Sequence, residues 1–348
     1  MAKTGDTSAG IQQLKADLKD GNLASLYFFY GEETFLLHHY LERIKKLRTD
    51  ELTESFNYHK LTNETFDVQQ LADAVENLPM MAEYTFIWVD EIDLFKLPEG
   101  DRERIAEILS DIPEYCCVVF TYETAAWKPD KRQKKLWEAI STHGQIVEFA
   151  KQDQRDLIPW IIRHFAARKK TISSDLALYL IDLTGGTMTT LAGEISKICA
   201  YSGADAICRA DIDAVTEPVM DAVVYQMTDM LGRGEYGKAL EKLGQLLKMQ
   251  QEPIGILGAM GMHFRRVSAA RTLLDHGRGV QDMMKLYGLT DYPARKTMET
   301  ARRFSAKFCR YAMEAILEAD NQLKSSYDDP DRILEMLILR LAQEARNG

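Results

Sequence analysis

The sequence predicts two unlike parts, an α/β segment over residues 1–150 and an all-helical remainder. Three observations carry that reading. Strand and helix signals alternate as far as Phe149, strand signals cease after it, and 348 residues exceed what one ordinary core holds, so two or three domains are expected. Strands separated by helices call for a parallel sheet with helices on both faces.

Residues 11–19 predict a helix leading into a strand over 26–30. A second helix follows over 34–47, with Phe35, Leu36, Tyr40, Leu41, Ile44 and Leu47 at helical spacing. A strand near 57–61 comes next. Asp67 and Gln70 form a capping-box variant for a helix whose apolar face is Val68, Leu71, Ala74, Val75 and Leu78, and Pro79 stops it. A strand over 85–89, a helix over 101–109, a strand over 117–121, a helix over 131–141 and a strand over 145–149 complete the α/β part. Beyond it, 153–169 is amphipathic with Leu157, Trp160, Ile161, His164 and Phe165 inward, 174–183 ends at Gly185-Gly186, and 188–201 completes a small helical module that Pro218 leaves. Helices over 222–231, 236–249, 254–274, 294–303, 307–324 and 332–345 fill the rest. No internal repeat stands out, which argues against a solenoid.

The formal charge of −10 argues against a free-standing nucleic-acid binder that gains affinity by neutralising phosphates. The charge is uneven, because 19 Lys and Arg face 15 Asp and Glu from Arg233 onward. Such a balance suits a solvated helical surface as well as a basic C-terminal part. No apolar run approaches a membrane span and residues 1–7 lack the apolar core of a signal peptide, so a cytoplasmic protein is expected. Five scattered cysteines with no CxxC pair point to reduced thiols rather than a disulfide framework or a zinc module.

The stretch Phe28-Phe29-Tyr30-Gly31-Glu32-Glu33-Thr34-Phe35-Leu36-Leu37 sets a strand, a tight turn and a helix where a nucleotide-binding fold carries its phosphate loop. A working loop needs several glycines, a Lys for the phosphate charge and a Ser or Thr for Mg²⁺. One glycine followed by two glutamates repels a nucleotide instead. Further on, Phe86-Ile87-Trp88-Val89-Asp90-Glu91 has the strand-then-carboxylate pattern that holds Mg²⁺ in phosphoryl-transfer enzymes. Without a Lys-bearing loop, Asp90 and Glu91 read as solvated carboxylates at a strand end. His38-His39 have no HExxH partner, Cys116-Cys117 open a buried strand, and no GxSxG element is present. The run from Trp127 to Lys135, Arg265-Arg266 and Arg302-Arg303 are basic segments that suit either a phosphate backbone or plain solvation.

Taken in order, six segments resemble the delta subunit of bacterial DNA polymerase III. They are Tyr30-Gly31-Glu32-Glu33-Thr34-Phe35-Leu36, Phe56-Asn57-Tyr58, Asn77-Leu78-Pro79-Met80-Met81-Ala82-Glu83, Lys131-Arg132-Gln133-Lys134-Lys135-Leu136, Glu194-Ile195-Ser196-Lys197-Ile198, and Glu318-Ala319-Asp320-Asn321-Gln322-Leu323-Lys324-Ser325. The resemblance spans essentially the whole chain. It implies an AAA+-like α/β domain with a degenerate P-loop over 1–150, a small helical lid over 151–217 and a helical collar over 218–348. It also implies a non-hydrolysing clamp-loader subunit that binds the beta sliding clamp and helps open it for loading onto primed DNA. Partners would be the clamp, the other loader subunits in a hetero-pentamer joined through the collar, and primed DNA within the complex, with no membrane. No catalytic site, cofactor or metal is expected in this chain, and polymerase activity belongs to the holoenzyme. The Ser-Arg-Cys motif by which neighbouring loader subunits supply an arginine finger is absent, since Cys208-Arg209 follows Ile207.

The family's clamp-contacting element is an apolar pair before the third strand, which falls here on Met80 and Met81. On the residues alone, two large apolar side chains after Pro79 either cover the end of the sheet or form a docking pair, and methionines adapt well to an apolar pocket. Two other functions stay open from the sequence: a divergent AAA+ ATPase with a non-standard loop using Asp90 and Glu91, and a helical scaffold with no clamp role.

Overall fold

The computed structural model describes residues 6–289 and 291–347, and the chain divides after Gln152 into two compact units. The first unit runs α1 (Asp6–Asp20), β1 (Leu26–Tyr30), α2 (Thr34–Arg48), α3 (Glu54–Asn57), β2 (Tyr58–Leu61), α4 (Val68–Glu76), β3 (Thr85–Asp90), α5 (Glu99–Ser110), β4 (Cys116–Tyr122), α6 (Lys134–His143) and β5 (Gln145–Glu148). All four strand pairings are parallel, in the order β2-β3-β4-β1-β5. The fold is therefore the α/β class that alternating elements predict, followed by an all-helical part.

Helices cover both faces of the sheet, and the two-residue period of the strands sorts their side chains accordingly. Leu26, Phe28, Val118 and Phe120 meet Leu71, Ile105, Leu109, Leu136 and Ile140 of α4, α5 and α6. Tyr27, Phe29, Val119 and Val147 meet Leu14 and Leu18 of α1 and Leu37, Leu41 and Ile44 of α2 on the other face. Phe28 and Phe120 stack at 4.8 Å between ring centroids, a contact worth about 0.5–1.5 kcal/mol beyond the area it buries. Burial on both faces explains why β1 and β4 read as unbroken apolar runs.

In the second unit, α7 (Gln154–Ala166), α8 (Ser174–Thr184), α9 (Met188–Tyr201) and α10 (Arg209–Val215) bury Leu157, Ile161, Phe165, Leu180, Leu191, Ile195, Ile198 and Ile212. Ser173 caps α8 by accepting from the Leu176 N–H, and Gly185 ends it in the left-handed conformation at φ 78°. Then α11 (Met220–Gly232), α12 (Tyr236–Lys248), α13 (Pro253–Asp275), α14 (Val280–Tyr287), α15 (Asp291–Ala301), α16 (Ala306–Ser325) and α17 (Pro330–Asn347) enclose a core containing Met260, Phe264, Phe308 and Leu334. Lys296 of α15 joins Asp182 of α8 at 2.6 Å and lies 3.9 Å over the Tyr225 ring, so a charge pair and a cation–π contact tie α8 to α11 and α15.

Several local expectations are corrected. Asn57 closes the short α3 instead of opening β2. Asp67 makes no side-chain cap to α4, so the capping-box variant does not form, and α4 ends at Glu76 rather than Leu78. The second shift has a steric cause, since Pro79 disfavours helical backbone at the residue before it. Residues 131–133 precede α6 as a turn in which the Asp130 carboxylate accepts from the Arg132 backbone N–H. α3, α10 and α14 were not anticipated.

Candidate functional site

The segment between α4 and β3 places Met80 and Met81 at the surface, with Met81 94% exposed. Its conformation is held from below by Asn57, which is only 1% exposed. The Asn57 carboxamide accepts from the Met80 N–H at 2.7 Å through Oδ1 and donates to the Met80 carbonyl at 2.9 Å through Nδ2. This two-point grip mimics one rung of a β-ladder. Nδ2 also donates to the Thr53 carbonyl at 3.2 Å, which fixes the amide in α3. α3 is in turn tied to α2, where Lys45 meets Glu54 at 2.6 Å and lies 4.0 Å over the Tyr58 ring.

Directly after this grip, Met81 adopts φ 54°, a left-handed conformation uncommon for a residue with a side chain. Such backbone persists only where its surroundings over-determine it. The result is an unusual presentation: a rigid turn holds two flexible apolar side chains toward solvent.

The β1–α2 turn does the opposite and closes on itself. Phe149 N–H donates to the Tyr30 carbonyl at 2.7 Å, and Glu33 N–H donates to the Phe149 carbonyl at 2.9 Å. Gly31, at φ 134°, packs so tightly that a Cβ would lie 2.3 Å from the Phe149 carbonyl oxygen. Glu33 is buried beneath the start of α2. The Glu33 N–H, which a phosphate would need, is spent on the Phe149 carbonyl, and an acidic residue stands at the N-cap of α2.

Asp90 and Glu91 are engaged rather than freely solvated, contrary to the sequence expectation. Asp90 accepts from Thr121 Oγ1 at 2.8 Å and pairs with Lys60 at 3.2 Å. Glu91, at φ 63°, accepts from the Ala125 N–H at 2.7 Å, the Thr124 N–H at 3.0 Å and Thr124 Oγ1 at 2.9 Å, and also from the Glu123 N–H. Burial pushes this carboxyl up, but the hydrogen bonds outweigh it and hold the group below its ordinary value. The carboxylate clips the loop after β4. A lowered folded value means that its stabilisation is present above the ordinary carboxylate pKa and is lost as pH falls through the lowered one. Glu91→Gln should therefore lose stability at neutral pH and show a smaller loss than wild type on acidification below about pH 4, read from urea midpoints across pH.

The profile of the DNA polymerase III delta subunit family matches residues 27–150, and the profile of that subunit's C-terminal domain matches residues 221–341. The chain belongs to the DNA polymerase III delta subunit family. It is 24% identical over 330 residues to the DNA polymerase III subunit delta of Bacillus subtilis (strain 168), covering 93% of this chain and 94% of that one. It is 20% identical over 274 residues to the probable DNA polymerase III subunit delta of Aquifex aeolicus (strain VF5), covering 76% and 75%. The solved structure of the Bacillus subtilis DNA clamp loader delta protein matches 96% of this chain and 99% of its own, with a TM-score of 0.60 at 22% identity, which shows a shared fold.

In this delta-family chain the basic run after Trp127 is partly neutralised. Arg132 holds Asp130 at 2.9 Å and Lys135 holds Glu103 at 2.8 Å. Trp127 itself packs against Tyr122 and Phe28, with centroids at 4.8 and 5.3 Å, and closes the sheet beneath the run. Cys116 and Cys117 are buried, with burial pushing the Cys117 thiol up to about 12. Among the described residues, no group of three or more His, Cys, Asp and Glu side chains is placed to hold a metal ion, and no helix is long and apolar enough to cross a membrane. Sequence reasoning singled out Met80 and Met81, whose side chains are exposed, but gave Asn57 no role. Its only sequence signal was its place beside Phe56 ahead of β2, since the bond to Met80 spans 23 residues.

Proposed function

We propose that this delta-family chain is the clamp-contacting subunit of a clamp loader, binding one protomer of the beta sliding clamp through Met80 and Met81 and helping to open the ring for loading onto primed DNA. The observation that carries the reading is the turn gripped by Asn57, which holds both methionines outward on a fixed backbone. A structural cover for the sheet would bury those side chains, whereas a docking pair must expose them. Methionines suit an apolar pocket because their unbranched, polarizable chains adapt to its shape.

Residues 151–217 act in this reading as a lid and 218–348 as the collar that joins the other loader subunits in a hetero-pentamer in the cytoplasm. Leu317 of α16 and Met336 and Leu339 of α17 are exposed apolar side chains that suit such contacts. ATP bound by neighbouring subunits would drive the cycle, and this chain would present the clamp without hydrolysing nucleotide. The closed turn at Gly31 and the engaged Glu91 weigh against the ATPase alternative.

The test is association of the purified chain with the sliding clamp of the same organism in nucleotide-free buffer. A complex at micromolar concentrations or below is expected. No complex at any ring concentration up to about 100 μM, a Kd limit near −5.5 kcal/mol, would leave the scaffold role instead.

A further inference from the structure

The exposed large apolar side chains of the first unit are not scattered. Leu47, Leu52 and Phe56 belong to one stretch and Leu78, Met80 and Met81 to another, and these are all such side chains among the described residues of that unit. The two stretches are distant in sequence, yet the Asn57 grip on Met80 sets them side by side. Phe56, 57% exposed, is the residue next to Asn57. A four-residue helix gains little from exposing a phenylalanine, and grouped apolar exposure of this kind marks an interaction surface.

Charge is uneven too: Arg48, next to Leu47, lies 3.9 Å over the Tyr84 ring, but the segments that carry Leu52, Phe56 and the methionines are one-sided. Residues 50–56 and 76–83 carry Asp50, Glu51, Glu54, Glu76 and Glu83 and no Lys or Arg. Glu54 and Glu76 have partners in Lys45 and Arg104, whereas Asp50, Glu51 and Glu83 make no ion pair among the described residues. The surface is thus an apolar strip whose rim is mainly acidic, with three of its five carboxylates outside any ion pair among the described residues and Arg48 at its Leu47 end.

We propose that α3 and the turn before it are the second half of the docking surface, with Phe56 and Leu52 contacting the same clamp protomer as Met80 and Met81. The inference rests on the clamp reading above and adds the chemistry of the partner: an apolar pocket wide enough for both stretches and bordered by basic side chains. Asn57 couples the halves, so the surface docks as one rigid piece. The acidic rim steers a basic-bordered partner and makes association depend on salt.

Phe56→Ala and Leu52→Ala, assayed separately for equilibrium binding to the sliding clamp at low and high salt, test this. Phe56→Ala should weaken binding by about tenfold or more with the melting temperature unchanged, in the range of a buried aromatic anchor. Asp50→Lys/Glu51→Lys should weaken it further at low salt and flatten its salt dependence. Wild-type binding that is unchanged within twofold in Phe56→Ala and Leu52→Ala would overturn the second contact while leaving the clamp reading intact. If wild type itself does not bind, both fail together.

Discussion

Gly31→Ala is expected to lower the stability of the first unit by about 2–4 kcal/mol, combining overpacking with an unfavourable left-handed backbone. The methyl group would meet three backbone atoms of Phe149, the carbonyl oxygen at 2.3 Å, the carbonyl carbon at 2.6 Å and the nitrogen at 2.8 Å. None of these is the end of a flexible side chain that could swing aside. Relief therefore requires β1 and the chain after β5 to part, which breaks the Phe149 N–H bond to Tyr30 and the Glu33 N–H bond to Phe149. Three of the four tryptophans, Trp88, Trp127 and Trp137, lie in this unit, so urea unfolding followed by fluorescence reads it well. An unaltered midpoint would mean that the turn is slack, and the case against a phosphate cradle at Gly31 would weaken with it.

The Asn57→Ala variant should lose about 1–3 kcal/mol of stability, because the Met80 N–H and carbonyl lose their buried partner. Its effect on clamp binding is the more informative result. Without the grip, the backbone of Met80 loses both side-chain hydrogen bonds next to Met81 at φ 54°, and the folded protein spends less time with both methionines correctly presented. Binding to the clamp should weaken by about tenfold even at temperatures where the variant is fully folded. A purely structural role predicts a lower melting temperature with the Kd of the folded protein unchanged. That outcome would remove Asn57 from the account of the site.

The architecture was legible where the side-chain pattern had length to repeat. In α2, Leu37, Tyr40, Leu41 and Ile44 are buried at helical spacing, and in β1 four consecutive residues are buried because both faces of the sheet are covered. The four residues of α3 and seven of α10 are too short for a periodic signal, and α14 lies between turn-forming glycines. Asp67 looked like a cap but takes extended backbone with no side-chain bond to the helix it precedes. The exposed position of the methionine pair was readable from Pro79 and from the family resemblance. Its support was not, because Asn57 acts across 23 residues and a hydrogen-bonding partner that far away leaves no local pattern. The fate of Glu91 was hidden for the same reason, as its partners lie in the loop after β4.

The central claim is that Met80 and Met81 hold the sliding clamp. The most direct measurement is the Kd of wild type and of Met80→Ala/Met81→Ala for the sliding clamp of the same organism, without nucleotide, with circular dichroism on both proteins. The account predicts a folded double variant whose binding is weaker by well over tenfold, more than about 1.4 kcal/mol. A folded double variant that binds the clamp as tightly as wild type would contradict it.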